Sequence, residues 1–170
     1  MNDELKEKTL PCFFSSSFIR SSFVTLLAMT PAEGPNLLFV YGSLRRGFQL
    51  HSVLAGAGAR QVGQGSVGGR LFDLGDYPGA EPSNAAADRV QGEVYRLANP
   101  ERALSVLDWT ERLRPGAIES RYRRGTTEVK LENGTTAEAW IYWLARWPGP
   151  KRLIASGDYS RKRESTDSAD

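Results

Sequence analysis

With 170 residues, 40% of them apolar, the chain has room for one domain with a true core, and its formal net charge of +2 carries no bias towards a polyanionic partner. One cysteine, Cys12, and one histidine, His51, exclude an internal disulfide, a cysteine cluster and a multi-histidine metal site. No finger spacing, heptad or basic–aromatic repeat points to nucleic acid, so the chain reads as a protein of a reducing compartment, cytoplasmic by expectation.

Residues 1–34 differ in character from the remainder of the chain. Asp3, Glu4 and Glu7 stand among the first lysines, and serines and Arg20 interrupt the apolar run from Phe13 to Ala28. Both features argue against a secretory signal, and no run reaches the length of a membrane span. The stretch from Met29 to Asn36 looks like a natural short leader. Residues 1–28 are therefore expected to be an upstream start-site extension, and 1–34 to lack ordered structure.

The run Leu37-Leu38-Phe39-Val40-Tyr41 reads as a buried strand that empties into the tight loop Gly42-Ser43-Leu44-Arg45-Arg46-Gly47. Loop amides at the mouth of a buried strand have no ladder partner, and Gly42 and Gly47 allow unusual dihedrals and close approach to a ligand. Ser43, Arg45 and Arg46 add a hydroxyl and two positive charges suited to a carboxylate, so this loop is expected to hold a small anionic group. Phe48 to Ala55 predicts a short helix. Ala59 to Gly69, with valines between glycines, predicts a twisted or bulged strand, and Gly69 to Leu74 a second one. Gly75-Asp76-Tyr77-Pro78-Gly79 is turn chemistry, and Glu81 to Arg89 reads as loop.

Val90 to Leu97 alternates as a strand does. Asn99-Pro100-Glu101 then opens a helix through Leu113, with Asn99 as cap and Arg114-Pro115-Gly116 as the stop. Asn133-Gly134 between two alternating runs, Thr126–Leu131 and Thr136–Trp143, predicts a hairpin. Trp140, Trp143 and Trp147 read as core and rim. Pro148 to Tyr159 reads as an ordered closing arm, and residues 160–170 as a disordered tail.

Among residues able to do chemistry, Glu111 is the most informative. It continues the helical stripe of Leu104 and Leu107, broadened by Ala103 and Val106, as an acid at the C-terminal end. Burial and the negative helix end would both raise its pKa towards that of a proton carrier at neutral pH. The competing reading is an ion pair with one of Arg112, Arg114, Arg121, Arg123 or Arg124, or a merely exposed edge position. Asp108 is the rival acid, read as a helix-surface carboxylate. A Ser43 nucleophile with His51 as base lacks the second glycine of a nucleophile elbow and a third, orienting group. The glycines from Gly63 to Gly69 match no phosphate-loop pattern.

Taken together, Phe39-Val40-Tyr41-Gly42-Ser43-Leu44-Arg45-Arg46-Gly47 resembles the opening motif of the γ-glutamylcyclotransferase-like (AIG2-like) family. Further pieces come in family order: Gly75–Gly79, Gly92–Tyr95, Leu107–Glu111, Tyr122–Arg124, Ala139–Tyr142 and Ser156–Tyr159. The likeness spans about Asn36 to Tyr159 and is nearest the γ-glutamylamine cyclotransferase type. It implies a mixed α+β fold, a small partly open β-barrel with a few flanking helices, in a domain of residues 35–159. It also implies that Glu111 is the general acid/base and that the backbone of Tyr41, Gly42, Ser43 and Leu44 holds the γ-glutamyl head. Tyr77, Pro78 and Tyr122 would line the pocket. The implied reaction closes a γ-glutamyl amine or isopeptide onto itself, giving 5-oxoproline and a free amine, with no metal or organic cofactor. The expected partner is a small molecule rather than nucleic acid or membrane, and the oligomeric state is left open. Leu113 to Ser120 lengthen the segment before Tyr122 relative to the family pattern. The alternative reading is a non-catalytic domain that binds a small carboxylate metabolite.

Overall fold

The computed structural model describes residues 34–110 and 120–160. The elements, in chain order, are β1 (Leu37–Val40), α1 (His51–Gly56), β2 (Ala59–Asp73), β3 (Pro78–Pro82), β4 (Arg89–Leu97), α2 (Pro100–Thr110), β5 (Tyr122–Leu131), β6 (Thr136–Leu144) and β7 (Arg152–Leu153). Strand neighbours run β3-β2-β4-β1-β6-β5, and β2 also pairs with β5. Five strands therefore close into a barrel with two helices beside it, the mixed α+β architecture expected. The closure is slight at two seams. β1 meets β6 in parallel through Leu38 and Trp140, and β2 meets β5 through Gly65–Leu131 and Ser66–Lys130.

The period of two along each strand separates two cores. Phe39 and Tyr41 of the first strand and its continuation join Val67, Val94, Val129, Ile141 and Trp143 inside the barrel. Leu38 and Val40 point the other way, joining Tyr95, Tyr142 and Leu144 under the helices, where Leu54 of α1 and Ala103, Leu104 and Leu107 of α2 cover them. Phe39, Leu107 and Ile141 are almost fully buried. Each such side chain contributes about 1.5–3 kcal/mol over its exposed state.

Several boundaries differ from expectation. Ala59 to Asp73 form one continuous strand rather than two, because β2 pairs with β4 over its first part and passes to β3 and β7 from Gly69 onward. The expected bulge is present, between Gln61 and Gly63. The turn chemistry at Gly75 to Gly79 and the loop from Glu81 give up Pro78–Pro82 to β3, which pairs with β2. Val106 is exposed rather than part of the apolar stripe, since α2 rests on the sheet only through Ala103, Leu104 and Leu107. Asn99 caps α2 as expected, its Oδ1 accepting the Arg102 N–H at 3.0 Å. At the hairpin, Gly134 N–H donates to the Leu131 carbonyl at 2.9 Å. Residues 1–33, 111–119 and 161–170 lie outside the described residues, and with them Glu111, the expected helix stop, the N-terminal extension and nearly all of the C-terminal tail.

Candidate active site at the end of the first strand

After Val40 the chain winds through successive tight turns. The carbonyls of Gly42, Ser43 and Arg45 accept the N–H groups of Arg45, Leu50 and Phe48 at 3.0, 3.1 and 3.1 Å. The carbonyls are thereby spent within the loop. The N–H groups of Gly42, Ser43 and Leu44 find no acceptor among the described residues. Gly42 and Leu44 are buried, so amides of this kind want a ligand or water.

The cavity these amides border has a volume of about 600 Å³, within the range of small-molecule sites. All seven residues expected to contact substrate, Tyr41, Gly42, Ser43, Leu44, Tyr77, Pro78 and Tyr122, line it. Tyr41 offers it backbone, because the phenol is spent elsewhere: its hydroxyl donates to the Tyr142 carbonyl at 2.6 Å and accepts the Ala80 N–H at 3.2 Å. The Tyr122 hydroxyl donates to the Pro78 carbonyl at 2.7 Å and ties β5 to β3. Gly42 is needed for space, since a Cβ there would stand 2.6 Å from Pro78 Cγ. Gly47, with φ of 84°, supplies the left-handed turn further along.

Behind the loop lies a buried ionic network that corrects the role expected for the two arginines. Neither Arg45 nor Arg46 lines the cavity. Arg45 is buried, bonded through Nη1 to Asp158 at 2.7 Å, with Nε 3.6 Å from Glu93. Glu93 also accepts the Arg46 backbone N–H at 3.0 Å and the Tyr95 hydroxyl at 2.8 Å. The Arg45 guanidinium is thus committed to holding the loop, whereas Arg46 contributes its backbone N–H and keeps an exposed side chain away from the cavity. Burial, then the Glu93 hydrogen bond and charge, push the Tyr95 phenol well above its ordinary pKa, so it remains the donor. Burial would raise Asp158, but hydrogen bonds from Ser160 and Arg45 outweigh it and hold the carboxyl below its usual range.

The other titratable candidates serve structural contacts. His51 Nδ1 lies 3.3 Å from the Leu44 carbonyl and its ring tilts against Tyr95, an arrangement that buttresses the loop without engaging the Ser43 hydroxyl. Asp108 accepts from Arg124 and from the Tyr142 hydroxyl, the latter at 2.7 Å. It is therefore a partnered carboxylate rather than a bare helix-surface one. Burial, then the Asp108 hydrogen bond, raise the Tyr142 phenol far above normal, so this cavity-lining group also stays protonated. Glu111 lies outside the described residues. The residue before it, Thr110, lines the cavity and donates its hydroxyl to the Val106 carbonyl at 3.0 Å.

Sequence reasoning missed Phe39, Val40, Gln49, Leu50, Asp76, Thr110, Arg121, Tyr142 and Trp147 as lining residues. Asp76, Thr110 and Tyr142 stood inside family-like pieces. Trp147 read as core or rim and Arg121 as an ion-pair candidate rather than as cavity lining, because long-range packing brings them together: the guanidinium lies 5.6 Å from the Tyr77 ring centroid and 5.1 Å from that of Trp147. Among the described residues, no group of three His, Cys, Asp or Glu is placed to hold a metal ion. None of their helices is long and apolar enough to cross a membrane.

Comparison with known proteins gives a consistent result. The family described as gamma-glutamyl cyclotransferase, AIG2-like, matches residues 38–161. The gamma-glutamylcyclotransferase family protein YtfP of Escherichia coli K12 is 36% identical over 124 residues, covering 72% of this chain and 94% of its own. Among solved structures, YkqA from Bacillus subtilis superposes with a TM-score of 0.61 at 26% identity, over 79% of this chain. This chain spans only 43% of YkqA. An AIG2-like protein from Mus musculus superposes with a TM-score of 0.55 at 27% identity, over 66% of this chain and 80% of that one.

Proposed function

Because the chain belongs to the gamma-glutamyl cyclotransferase, AIG2-like family, we propose that it cyclises a γ-glutamyl amine or isopeptide to 5-oxoproline and releases the amine, in the cytoplasm. The observation that carries this reading is the cavity bordered by three amides without acceptors among the described residues and by the last described residue of α2. Those amides suit the carboxylate or carbonyl oxygen of a γ-glutamyl head, and near the carbonyl they would stabilise the oxygen as it gains negative charge.

The substrate's α-amine is protonated at neutral pH and cannot attack. A base must take one proton; the nitrogen lone pair then adds to the γ-carbonyl carbon. As the tetrahedral intermediate collapses, the ring nitrogen gives up its second proton to solvent, the bond to the leaving nitrogen breaks and that nitrogen receives a proton. One carboxyl group can accept the first proton and return it in the second step. We assign this role to Glu111, which comes directly after cavity-lining Thr110 in the chain and matches the acid of the family pattern. The second half of the catalysis is orientation. Folding the γ-glutamyl arm so that its own amine meets its carbonyl removes much of the entropic barrier, for which well-placed intramolecular reactions gain up to about 7–11 kcal/mol.

The test is a panel of γ-glutamyl amines and isopeptides assayed for 5-oxoproline. Turnover of at least one, lost in Glu111→Gln with the fold retained, supports the assignment. Turnover that survives the substitution removes Glu111 as the base. Ligand-induced stabilisation without product across the panel would favour a binding domain instead.

A further inference from the structure

Arg121 and Asp76 are the charged side chains that line the cavity among the described residues. Both are exposed, which puts them at its opening rather than its floor. The Arg121 guanidinium is held over two aromatic faces, Tyr77 and Trp147, whose centroids lie 5.9 Å apart in an edge-to-face pair. Trp147 is itself anchored, its indole N–H donating to the Pro150 carbonyl at 2.9 Å. The Arg121 carbonyl accepts the N–H groups of Ala145 and Arg146, fixing the backbone beneath. Yet among the described residues no carboxylate pairs with Arg121. Most arginines and lysines among the described residues likewise lack a carboxylate partner; what sets Arg121 apart is that it lines the cavity and is stacked on two rings there.

We infer that Arg121 is a specificity-determining residue that reads a carboxylate on the amine to be expelled. The inference rests on the cyclisation reading above. Under that reading the loop amides of Gly42 to Leu44 engage the γ-glutamyl head, and the leaving amine extends towards the opening where Arg121 is held. A guanidinium already stacked loses little freedom on binding and presents its planar fork to a carboxylate. Substrates whose leaving part ends in a carboxylate are then favoured over those ending in a neutral or alkyl group. Asp76 opposes an anion at the same opening and is screened by water no more than Arg121 is; Arg121 adds to its charge a planar fork that bonds a carboxylate through two N–H groups.

The experiment compares γ-glutamylglycine with γ-glutamylglycinamide, which differ only in carboxylate against carboxamide, on the full chain. Both 5-oxoproline kinetics and calorimetric affinity are measured for wild type, Arg121→Gln and Arg121→Lys. Wild type is expected to prefer the carboxylate compound at least tenfold in KM or Kd, with kcat little changed. Arg121→Gln should abolish that preference by weakening only the carboxylate compound, and Arg121→Lys should retain part of it. Thermal unfolding confirms that each variant is folded. Absence of a wild-type preference overturns the inference without any variant. Equal weakening of both compounds in folded Arg121→Gln also overturns it, placing the arginine on the γ-glutamyl head. If neither compound yields 5-oxoproline, the cyclisation reading fails for them, while the affinities of the same pair still decide the role of Arg121.

Discussion

Two arginines, one behind the cavity loop and one at the cavity mouth, show how one side chain serves two purposes. Arg45 lies behind the loop, 8% exposed, with Asp158 bonded to it and Glu93 nearby. Arg121 lies at the mouth, exposed, with aromatic rings beneath it and no carboxylate among the described residues. A buried guanidinium must be matched by opposite charge, because desolvation otherwise costs more than the fold can supply. An exposed one has no such obligation and can keep its fork for a ligand. The back of the loop should therefore govern stability, and the cavity side should govern turnover and choice of substrate.

The sharpest way to break this division is Glu111→Gln. Under the role proposed for Glu111, it should lower kcat by about 10²–10⁴-fold, the usual range for a general acid–base group, with the unfolding midpoint unchanged. A fall in thermal stability with turnover retained would move Glu111 to the structural side. Arg45→Ala is the converse case. Leaving Glu93 and Asp158 without their buried partner should cost about 3–5 kcal/mol in denaturant unfolding, with activity per folded molecule falling only as the loop loosens.

Gly42→Ala tests the seam between the two regions. The new methyl would stand 2.6 Å from Pro78 Cγ, so β3 and the loop must separate, at about 1–3 kcal/mol of stability and a higher KM. An acid titration of stability sharpens the rear side further. The Asp158 carboxyl is held below its ordinary 3.8 in the folded state, so its contribution is fully present above that value and is lost as pH falls through the lower, folded value. Asp158→Asn should flatten that part of the acid limb; an unchanged profile would show that another carboxyl sets it. Smallest of all in stability is Arg121→Gln, within about 0.5 kcal/mol of wild type by chemical unfolding, as for an exposed side chain with no ion pair among the described residues. A larger loss would make Arg121 a structural residue after all.

Much of this architecture could be read locally. The unbroken apolar run from Leu37 to Tyr41 read as a buried strand, and the structure buries Phe39 and Tyr41 in one core and Leu38 and Val40 in the other. The cap at Asn99 and the turn at Asn133-Gly134 act through neighbours only a few residues away, so their geometry is set by the residues themselves. The reading failed where partners are distant. Arg45 looked like an anion-binding charge because Asp158, its partner, lies 113 positions further on. Val106 looked apolar and inward because helical periodicity gives a stripe's direction, not its width, and the underlying sheet here covers only three residues of α2.

The order of motifs from Phe39 to Tyr159 thus carried the resemblance to the family, and through it the mixed barrel, while the strand and the loop that borders the cavity were legible from their own residues. Which charges are spent inside the protein and which remain for a ligand was decided only when strands far apart in the chain came together. An ionic group's role depends on its solvation and its partners, and these are properties of three-dimensional neighbours rather than of sequence neighbours.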